Sequence, residues 1–229
     1  MSFTSVAMAS IRNETPDLVH IELAAPQALL NAYSVPGQYI QIQHGDLKPG
    51  FFALASGPHD GRLELLIKRG APLADAITAK KAGDTLAITA PQGKGYPLAE
   101  ALGRDVFLAG VGSGIAPLRA LMHEMLSRRS EFKAITFLYG ARTCDAFPYE
   151  KEVSTWSSQG VTVIQSCSRP AEGTWDGATG HIQQALKAQK PKVNADSAVF
   201  VCGMKPMVEE LKSVFGELGL SPGRVFQNF

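Results

Sequence analysis

Apolar and polar residues alternate in short runs along the first hundred residues of the chain. In QYIQIQ, Ile40 and Ile42 share one face of an extended segment, and RLELLIKR and DTLAIT repeat the pattern. Turn signals such as Pro-Gly and His-Asp-Gly separate these runs. One helix is predicted in APLADAITAKKAGD, with a proline in its first turn and a glycine after its end. Short strands with one helix predict a small antiparallel β-barrel.

The pattern changes at Asp105. DVFLAG, AITFLYG, VTVIQS and AVFVCG are nearly continuous apolar runs, which are typical of strands buried on both faces. A segment with helical spacing follows each run, and GRVFQNF predicts a last strand. This alternation predicts a doubly wound parallel α/β sheet. We therefore expect an antiparallel β-barrel domain over residues 1–99 and a nucleotide-binding α/β domain over residues 104–229, joined near GKGYPLAEALGR.

Composition and charge exclude several classes of function. The 229 residues carry a net charge of +1, so no strong field attracts nucleic acid or an anionic membrane. No apolar run reaches the roughly 20 residues that span a bilayer, and the N-terminus lacks a secretory pattern. A cytoplasmic or processed organellar protein is expected. Three widely spaced cysteines without a CxxC motif fit a reducing compartment and predict neither a zinc ribbon nor a cysteine-ligated iron–sulfur cluster, so no metal site is expected.

Glycine, arginine and cysteine mark the carboxyl ends of the predicted parallel strands, where open α/β sheets bind ligands. The first end reads AGVGSGIAP, and its glycines would let the backbone approach a phosphate ahead of a helix N-terminus. Its spacing differs from the usual dinucleotide GxGxxG motif. At the other ends, Arg142 could face a nucleotide, Ser168 and Arg169 offer a hydroxyl and a planar cation, and Cys202 and Gly203 lie beside the crevice.

A predicted barrel followed by AGVGSGIAPL, YGART, SRP, CGMKPMV and a C-terminal aromatic residue resembles the ferredoxin–NADP reductase superfamily. The chain is most similar to its compact FAD- and NAD(P)-binding oxidoreductases, including a plant group related to a kiwi-fruit protein. The resemblance implies FAD on the barrel and NADPH or NADH on the C-terminal domain. It places the following residues near the nucleotide: Gly112, Gly114, Ile115, Ala116 and Pro117 beside pyrophosphate and nicotinamide, Cys202, Gly203 and Met204 near the nicotinamide end, and Ser168 and Arg169 at a 2′-phosphate.

The flavin signature of this superfamily, Arg-x-Tyr-Ser followed by a small apolar residue, Ala and Ser, aligns with GFFALAS at positions 50–56. Phe52 takes the place of the tyrosine and keeps a ring that can stack on an isoalloxazine. Gly50 and Ala53 stand where the arginine and the serine are expected. The chain therefore lacks the guanidinium that pairs with phosphate and the hydroxyl near the flavin.

Other groups could compensate for these losses. Backbone N–H groups of Leu54, Ala55 and Ser56 would remain as donors, and Lys48 or Lys68 could supply charge. A second flavin element, Gly-x-x-Ser/Thr at a helix start, aligns with GAPL. In that element Gly70 and Ala71 precede the helix and Leu73 replaces the hydroxyl residue, while the helix N-terminus keeps free N–H groups.

The resemblance implies hydride transfer from NAD(P)H to flavin N5 and onward transfer of electrons to a separate acceptor, such as an iron–sulfur or haem protein. Cys202 and the terminal Phe229 are the residues expected beside the reacting atoms, with Phe229 covering the flavin face. Two alternatives stay open. One is a flavin reductase that uses flavin as a loosely bound substrate, and the other is a non-redox binding or regulatory protein on this fold.

Overall fold

Six antiparallel strands form the N-terminal sheet of this computed structural model, which describes residues 2–228. They are β1 (Thr4–Asn13), β2 (Leu18–Leu23), β3 (Tyr39–Gln43), β4 (Gly50–Ala53), β5 (Leu63–Lys68) and β6 (Thr85–Ile88). Their order is β4-β3-β6-β1-β2-β5. Leu54, just after β4, forms a bridge with Leu65 of β5, so the two edge strands meet and the sheet closes into the expected barrel.

Alternating side chains of these strands fill the barrel. Ile40, Ile42, Leu63 and Leu65 are fully buried, as their spacing predicts. Two short helices accompany the strands, α1 (Gln27–Ala32) and α2 (Pro72–Thr78). The sequence pattern predicted α2 but not α1, whose single buried residue, Leu29, leaves almost no helical periodicity to detect.

The stretch GFFALAS alternates poorly for a strand, yet its first four residues form β4. Strand β4 pairs with β3, where Ile40 faces Phe52 and Ile42 faces Gly50. Neighbouring strands therefore fix the extended conformation of this segment, which its own pattern does not specify.

Six parallel strands form the C-terminal sheet: β7 (Val106–Val111), β8 (Ile135–Ala141), β9 (Val161–Cys167), β10 (Ala178–Thr179), β11 (Ala198–Cys202) and β12 (Val225–Phe226). The helices are α3 (Ile115–Ser127), α4 (Glu150–Ser158), α5 (Ile182–Gln189) and α6 (Lys205–Glu217). Short 3₁₀ turns lie at Leu98–Ala101, Gly112–Gly114, Arg129–Glu131 and Cys144–Ala146. The strand order β10-β9-β8-β7-β11-β12 places the topological switch point between β7 and β11.

Successive residues of the central strands point into two different apolar layers. Leu108 packs in a core with α3 and α4, whereas its neighbours Phe107 and Ala109 pack in a core with α5 and α6. Both faces of the sheet are therefore covered, and the predicted doubly wound α/β fold is confirmed. The exact domain boundaries, residues 1–99 and 104–229, stay a prediction. Within residues 2–228, we find no helix with the length and apolar character needed to span a membrane.

Arg119 of α3 joins the barrel to the α/β domain. Its side chain is only 5% exposed, and its Nη1 donates to Glu64 Oε2 of β5 at 2.6 Å and to the Ala55 carbonyl at 2.8 Å. Its Nε donates to Glu152 of α4 at 2.8 Å. The Tyr149 ring lies 4.6 Å from Arg119 Cζ. A buried guanidinium with carboxylates on both sides of the interface fixes how the two domains meet.

His123, one turn further along α3, makes a second ionic contact across the interface. Its Nδ1 donates to Asp60 Oδ2 of the barrel at 2.6 Å and its Nε2 donates to Glu152 Oε1 at 2.7 Å. Burial alone would lower the pKa of His123, but hydrogen bonds to Asp60 and Glu152 outweigh it and raise the pKa to about 9. The imidazolium form therefore binds one carboxylate from each domain.

We expect this contact to make stability depend on pH above neutrality. Because the folded-state pKa of His123 lies above its ordinary value of 6.5, its stabilising effect is complete below about pH 6.5 and is lost as the pH rises through about 9. Between pH 6 and pH 10, the free energy of unfolding should fall by roughly 3 kcal/mol more in the native protein than in His123→Gln. Urea denaturation at both pH values measures this difference.

The matched control is His44→Gln, on a histidine outside the interface network, which should keep the pH dependence of the native protein. Equal pH dependence in the native protein and in His123→Gln would contradict the assignment of a charged His123.

Candidate active site

Two adjoining cavities lie where the barrel meets the α/β domain. The first, of about 870 Å³, lies between β3, β4 and α2 of the barrel and the start of α3. The second, of about 1300 Å³, lies over the carboxyl ends of the parallel strands. Lys68, Ser113, Gly114 and Cys202 line both cavities, so the two form one continuous cleft. This cleft lies at the topological switch point, where doubly wound sheets bind ligands.

The turn between β7 and α3 forms the junction of the two cavities. Gly112 adopts a φ of +55°, a left-handed conformation that favours glycine, and its carbonyl accepts a hydrogen bond from Tyr139 Oη at 2.6 Å. Gly114 packs against the end of β11, where a Cβ on residue 114 would lie 2.5 Å from the carbonyl oxygen of Cys202. Glycine at 114 therefore allows the turn and Cys202 to approach each other closely.

Cys202 lies at the junction as a neutral thiol. Burial raises its pKa to about 11, so the thiolate is scarcely populated at neutral pH. Tyr96, whose hydroxyl donates to the carbonyl of Val201 at 3.2 Å, lies beside it from the barrel side. A neutral, partly buried thiol can pack against a ring but is a poor nucleophile.

The structure brings eight of the predicted nucleotide residues together over the second cavity, whereas Ala116 and Pro117 line only the first. The N–H of Arg169 donates to the carbonyl of Arg142 at 2.8 Å, and the N–H of Ser168 donates to the carbonyl of Ala141 at 2.9 Å. The ends of β8 and β9 are thus tied side by side. The predicted residues that line this cavity are Gly112, Gly114, Arg142, Ser168, Arg169, Cys202, Gly203 and Met204. Ile115 does not line either cavity, because its side chain is fully buried in the core under α3.

The first cavity has a largely apolar lining. The predicted residues there are Phe52, Ala53, Lys68, Ala71, Leu73, Gly114, Ala116, Pro117 and Cys202. Sequence reasoning missed Tyr39, Phe51 and Asn228, which also line it. Phe51 is 65% exposed and packs edge-on against Tyr39 with ring centroids 5.4 Å apart. The aromatic pair in GFFALAS was the available signal for Phe51, whereas nothing near Asn228 in the sequence marks it.

The backbone N–H groups of Leu54 and Ala55 after β4, which the sequence suggested as donors to a ligand, form hydrogen bonds within the barrel instead. The N–H of Leu54 donates to the carbonyl of Gln38 at 3.0 Å, and the N–H of Ala55 donates to the carbonyl of Glu64 at 2.7 Å. The hydroxyl of Ser56 donates to the carbonyl of Arg62 at 2.8 Å. These residues are fully buried and none lines the cleft. They close the barrel, so the N–H groups of Leu54 and Ala55 are not free to bind a phosphate.

Gly50, a departure from the flavin signature, and Leu73, a departure from the second flavin element, lie next to each other in the structure. A Cβ on residue 50 would lie 2.8 Å from Leu73 Cδ2 and 3.1 Å from Phe52 Cε2. The Leu73 side chain therefore fills the volume through which an arginine at position 50 would extend. An apolar contact replaces the guanidinium and hydroxyl that the superfamily pattern predicts here.

The start of α2 offers fewer free donors than the sequence predicts. The N–H of Gly70 donates to Asp75 Oδ1 at 2.8 Å, and Gly70 lies outside the lining of the first cavity. Pro72 has no N–H group, and Asp75 adds a negative charge to the first helical turn. Lys48 and Lys68 are the cations that line the first cavity within the part of the chain that the structure describes. Phe229, expected to cover the flavin, lies outside the described residues.

Comparisons with known proteins agree with this architecture. Residues 107–213 match the family of oxidoreductase NAD-binding domains. The chain is 28% identical to the gamma subunit of sulfhydrogenase 1 from Pyrococcus furiosus over 83% of this chain and 66% of that protein. It is 26% identical to the fruit protein pKIWI502 from Actinidia deliciosa over 90% of this chain and 70% of that protein. The chain thus spans about two thirds of the length of these relatives.

Solved structures show the same fold. The chain superposes on a ferredoxin NADP⁺ reductase from Neisseria gonorrhoeae, determined with bound FAD and NADP, with a TM-score of 0.83 and 18% identity. The match covers 99% of this chain and 98% of that one. Residues 107–213 are thus similar to oxidoreductase NAD-binding domains, the whole chain has the fold of that ferredoxin NADP⁺ reductase, and the resemblance read from the sequence is confirmed.

The close approach of Gly114 and Cys202 predicts a specific sensitivity to a methyl group. In Gly114→Ala, the added Cβ meets a backbone oxygen, so the turn or the end of β11 must move. We expect destabilisation of roughly 2 kcal/mol, or a fall in Tm of about 4–8 °C, by calorimetry. Gly216→Ala is the control, because no atom lies within 4 Å of a Cβ on that helical residue. An unchanged Tm for Gly114→Ala would contradict the close approach.

Proposed function

We propose that the chain is an FAD-dependent NAD(P)H oxidoreductase that passes electrons on to a separate acceptor. When bound, the flavin and the nicotinamide would supply the hydride chemistry, and the protein would hold the two rings in contact. The observation that carries the proposal is the shared lining of the two cavities at Gly114 and Cys202. A ring in the barrel cavity and a nucleotide over the strand ends would meet there.

The residues of the first cavity suit a flat heteroaromatic ring. Phe52 and Tyr39 offer aromatic surfaces, and Cys202 closes the inner end with a neutral thiol. Asn228 is 4% exposed and its Nδ2 donates to the carbonyl of Gly37 at 2.9 Å. Within residues 2–228, its buried Oδ1 accepts no hydrogen bond. A ring N–H of a ligand in this cavity would satisfy that acceptor.

The second cavity suits the phosphates of a pyridine nucleotide. Arg142 and Arg169 are exposed along its lining, and a guanidinium can bind phosphate oxygens in a bidentate manner. The match to the NAD-binding family over residues 107–213 supports this assignment. Ser168 beside Arg169 favours NADPH over NADH, since a hydroxyl and a guanidinium together suit a 2′-phosphate.

Other parts of the proposal follow the superfamily resemblance. Cys202 and Phe229 would lie beside the reacting atoms as packing groups. The acceptor would be a separate protein, such as an iron–sulfur or haem protein, because the three scattered cysteines of this chain form no motif for a cluster of its own. A cytoplasmic or processed organellar location stays a prediction of the sequence.

The proposal predicts that NAD(P)H reduces a flavin bound by this protein. With FAD supplied in excess and oxygen removed, NADPH should bleach the visible flavin absorbance in a stopped-flow experiment. Cys202→Ser should slow this reduction roughly tenfold, because the packing of the two rings changes. Cys144→Ser, the same substitution outside the cleft lining, should keep the native rate. If neither NADPH nor NADH reduces the flavin, the proposal fails and a non-redox binding role is favoured.

A second candidate function is a flavin reductase that binds flavin as an exchangeable substrate. The contact between Leu73 and Gly50 favours it, because Leu73 fills the space that an arginine at position 50 would need to reach a phosphate. The N–H groups of Leu54, Ala55 and Gly70 already donate hydrogen bonds within the protein. They are therefore not available to bind a diphosphate, which lowers the expected affinity for FAD further. The cavity then recognises the ring more strongly than the FAD tail.

Relative flavin affinities separate the two functions. A substrate-type site should bind riboflavin, FMN and FAD with dissociation constants within about threefold of each other, measured by quenching of flavin fluorescence. A site with resident FAD should prefer FAD over riboflavin by about 100-fold or more. The paired substitution Gly50→Arg with Leu73→Ser opens the filled volume and adds a guanidinium. It should raise the affinity for FAD about tenfold and leave that for riboflavin unchanged.

A further inference from the structure

Two free thiols lie in contact at the ends of neighbouring parallel strands. Cys167 is the last residue of β9, and Cys144 begins the short turn Cys144–Ala146 that follows β8. Their Sγ atoms are 3.7 Å apart. In the sheet, Ala141 at the end of β8 pairs with Cys167, so the turn after β8 brings Cys144 back over the end of β9.

The two thiols differ in their surroundings. Cys144 is partly exposed, and its Sγ lies 3.5 Å from Thr174 Oγ1. Cys167 is buried, and its Sγ donates to the carbonyl of Arg142 at 3.4 Å. A small oxidant can therefore reach Cys144, whereas Cys167 is shielded from solvent and lies in contact with the Cys144 sulfur.

The third thiol is too far away to compete. Cys202 ends β11, which is separated from β8 by β7. Two strand spacings amount to about 10 Å, and three separate β11 from β9. Cys144 and Cys167 thus form an isolated pair, and the proposed oxidoreductase function uses neither.

We propose that Cys144 and Cys167 form a reversible redox-active dithiol, which hydrogen peroxide converts to an intramolecular disulfide. The sulfurs need to approach by about 1.7 Å to reach bonding distance. Cys144 can move for this purpose because it lies in a turn of three residues and not in a strand. This inference does not depend on the identity of the ligand in the cleft.

The reaction balances with one peroxide for each disulfide. The Cys144 thiolate attacks one peroxide oxygen, the O–O bond breaks, and the departing hydroxide takes up a proton to leave as water. Cys144 is then a sulfenic acid. The sulfur of Cys167 attacks the sulfur of Cys144, the S–O bond breaks, and a second water leaves with the Cys167 proton. Two thiols have lost two electrons to the O–O bond, and a dithiol reductant reverses the change.

Burial keeps Cys167 from reacting first, and its 3.7 Å contact with Cys144 suits it to the second step. Burial raises the pKa of Cys167, so its thiol stays protonated and unreactive toward bulk oxidants. Its close contact with Cys144 gives it a high effective concentration toward a sulfenic acid formed there. The pair therefore has the usual division between an exposed thiol and a resolving thiol.

The bond would form directly beneath the lining of the second cavity. Arg142, Thr143 and Asp145 precede or flank Cys144 there, and Ser168 and Arg169 follow Cys167. Oxidation would link these two segments covalently and remove the S–H donor to the carbonyl of Arg142. A modification at this pair thus changes the support of the arginines that face the cavity.

Thiol counting after peroxide treatment tests the proposal on the full chain. The folded, reduced protein is treated with one equivalent of hydrogen peroxide, quenched by alkylation, and digested without reduction for mass spectrometry. We expect free thiols to fall from three to one, with a linked peptide pair that contains Cys144 and Cys167. Dithiothreitol should restore all three thiols. Cys202→Ser should still form the link, because its remaining two thiols are this pair.

Two variants test whether the disulfide joins Cys144 to Cys167. Cys144→Ser changes a partly exposed residue, and Cys167→Ala removes the buried sulfur without adding a polar group. Neither variant should form an intramolecular disulfide, and Cys167→Ala should accumulate a sulfenic acid on Cys144 that dimedone traps. The proposal is overturned if the native protein keeps three thiols, if Cys144 oxidises while Cys167 stays free, or if Cys202 enters the bond.

Discussion

The buried ion pairs of Arg119 are the interaction on which the geometry of the cleft depends. This arginine lies on α3, the helix that follows the Gly112–Gly114 turn, and it binds Glu64 of the barrel and Glu152 of α4. Removing either carboxylate would leave the buried guanidinium with one carboxylate partner in place of two and would destabilise the interface. The helix that begins at the cleft is thereby fixed to the opposite domain. The Arg119 ion pairs keep the walls of the two cavities in place relative to each other, so the cavities meet at the interface.

Neutral groups complete the same interface. The Nδ1 of His20 lies 3.0 Å from the hydroxyl of Tyr149, whose ring also covers Arg119. Burial lowers the pKa of His20 to about 4, so His20 stays neutral while His123 is charged. His20 therefore packs against Tyr149 as a neutral ring, and His123 forms ion pairs with carboxylates. Burial dominates at His20, whose Nε2 lies 3.6 Å from one carboxylate oxygen of Glu64, whereas His123 makes two carboxylate contacts at 2.6 and 2.7 Å.

Sequence patterns predicted the fold well because they are local. Apolar runs identified β7, β8, β9 and β11, and alternation identified the barrel strands around Ile40 and Leu65. Relations between distant residues were not predictable in this way. Gly50 and Leu73 are 23 positions apart along the chain, and only the folded barrel shows that the Leu73 side chain fills the space beside Gly50. Leu54 and Ala55 were expected to donate to a ligand, but barrel closure uses their N–H groups, which a motif alignment cannot reveal.

The stretch GFFALAS thus combines two roles. Its first four residues, Gly50–Ala53, line the cleft, whereas Leu54, Ala55 and Ser56 complete the barrel and line neither cavity. Under the proposed function, this cavity would bind a ring more strongly than a charged tail. The two-domain fold is unchanged by these departures, which would alter how strongly the barrel holds each part of a flavin.

The central claim is that a flavin ring in the barrel cavity meets a nicotinamide at the junction of Gly114 and Cys202. A crystal structure of the protein grown with FAD and NADP⁺ tests it most directly. The account predicts isoalloxazine density against Phe52, with its inner end toward Cys202, and nucleotide density over Arg142 and Arg169. Flavin density elsewhere, or a first cavity free of flavin density at saturating flavin, would contradict the account.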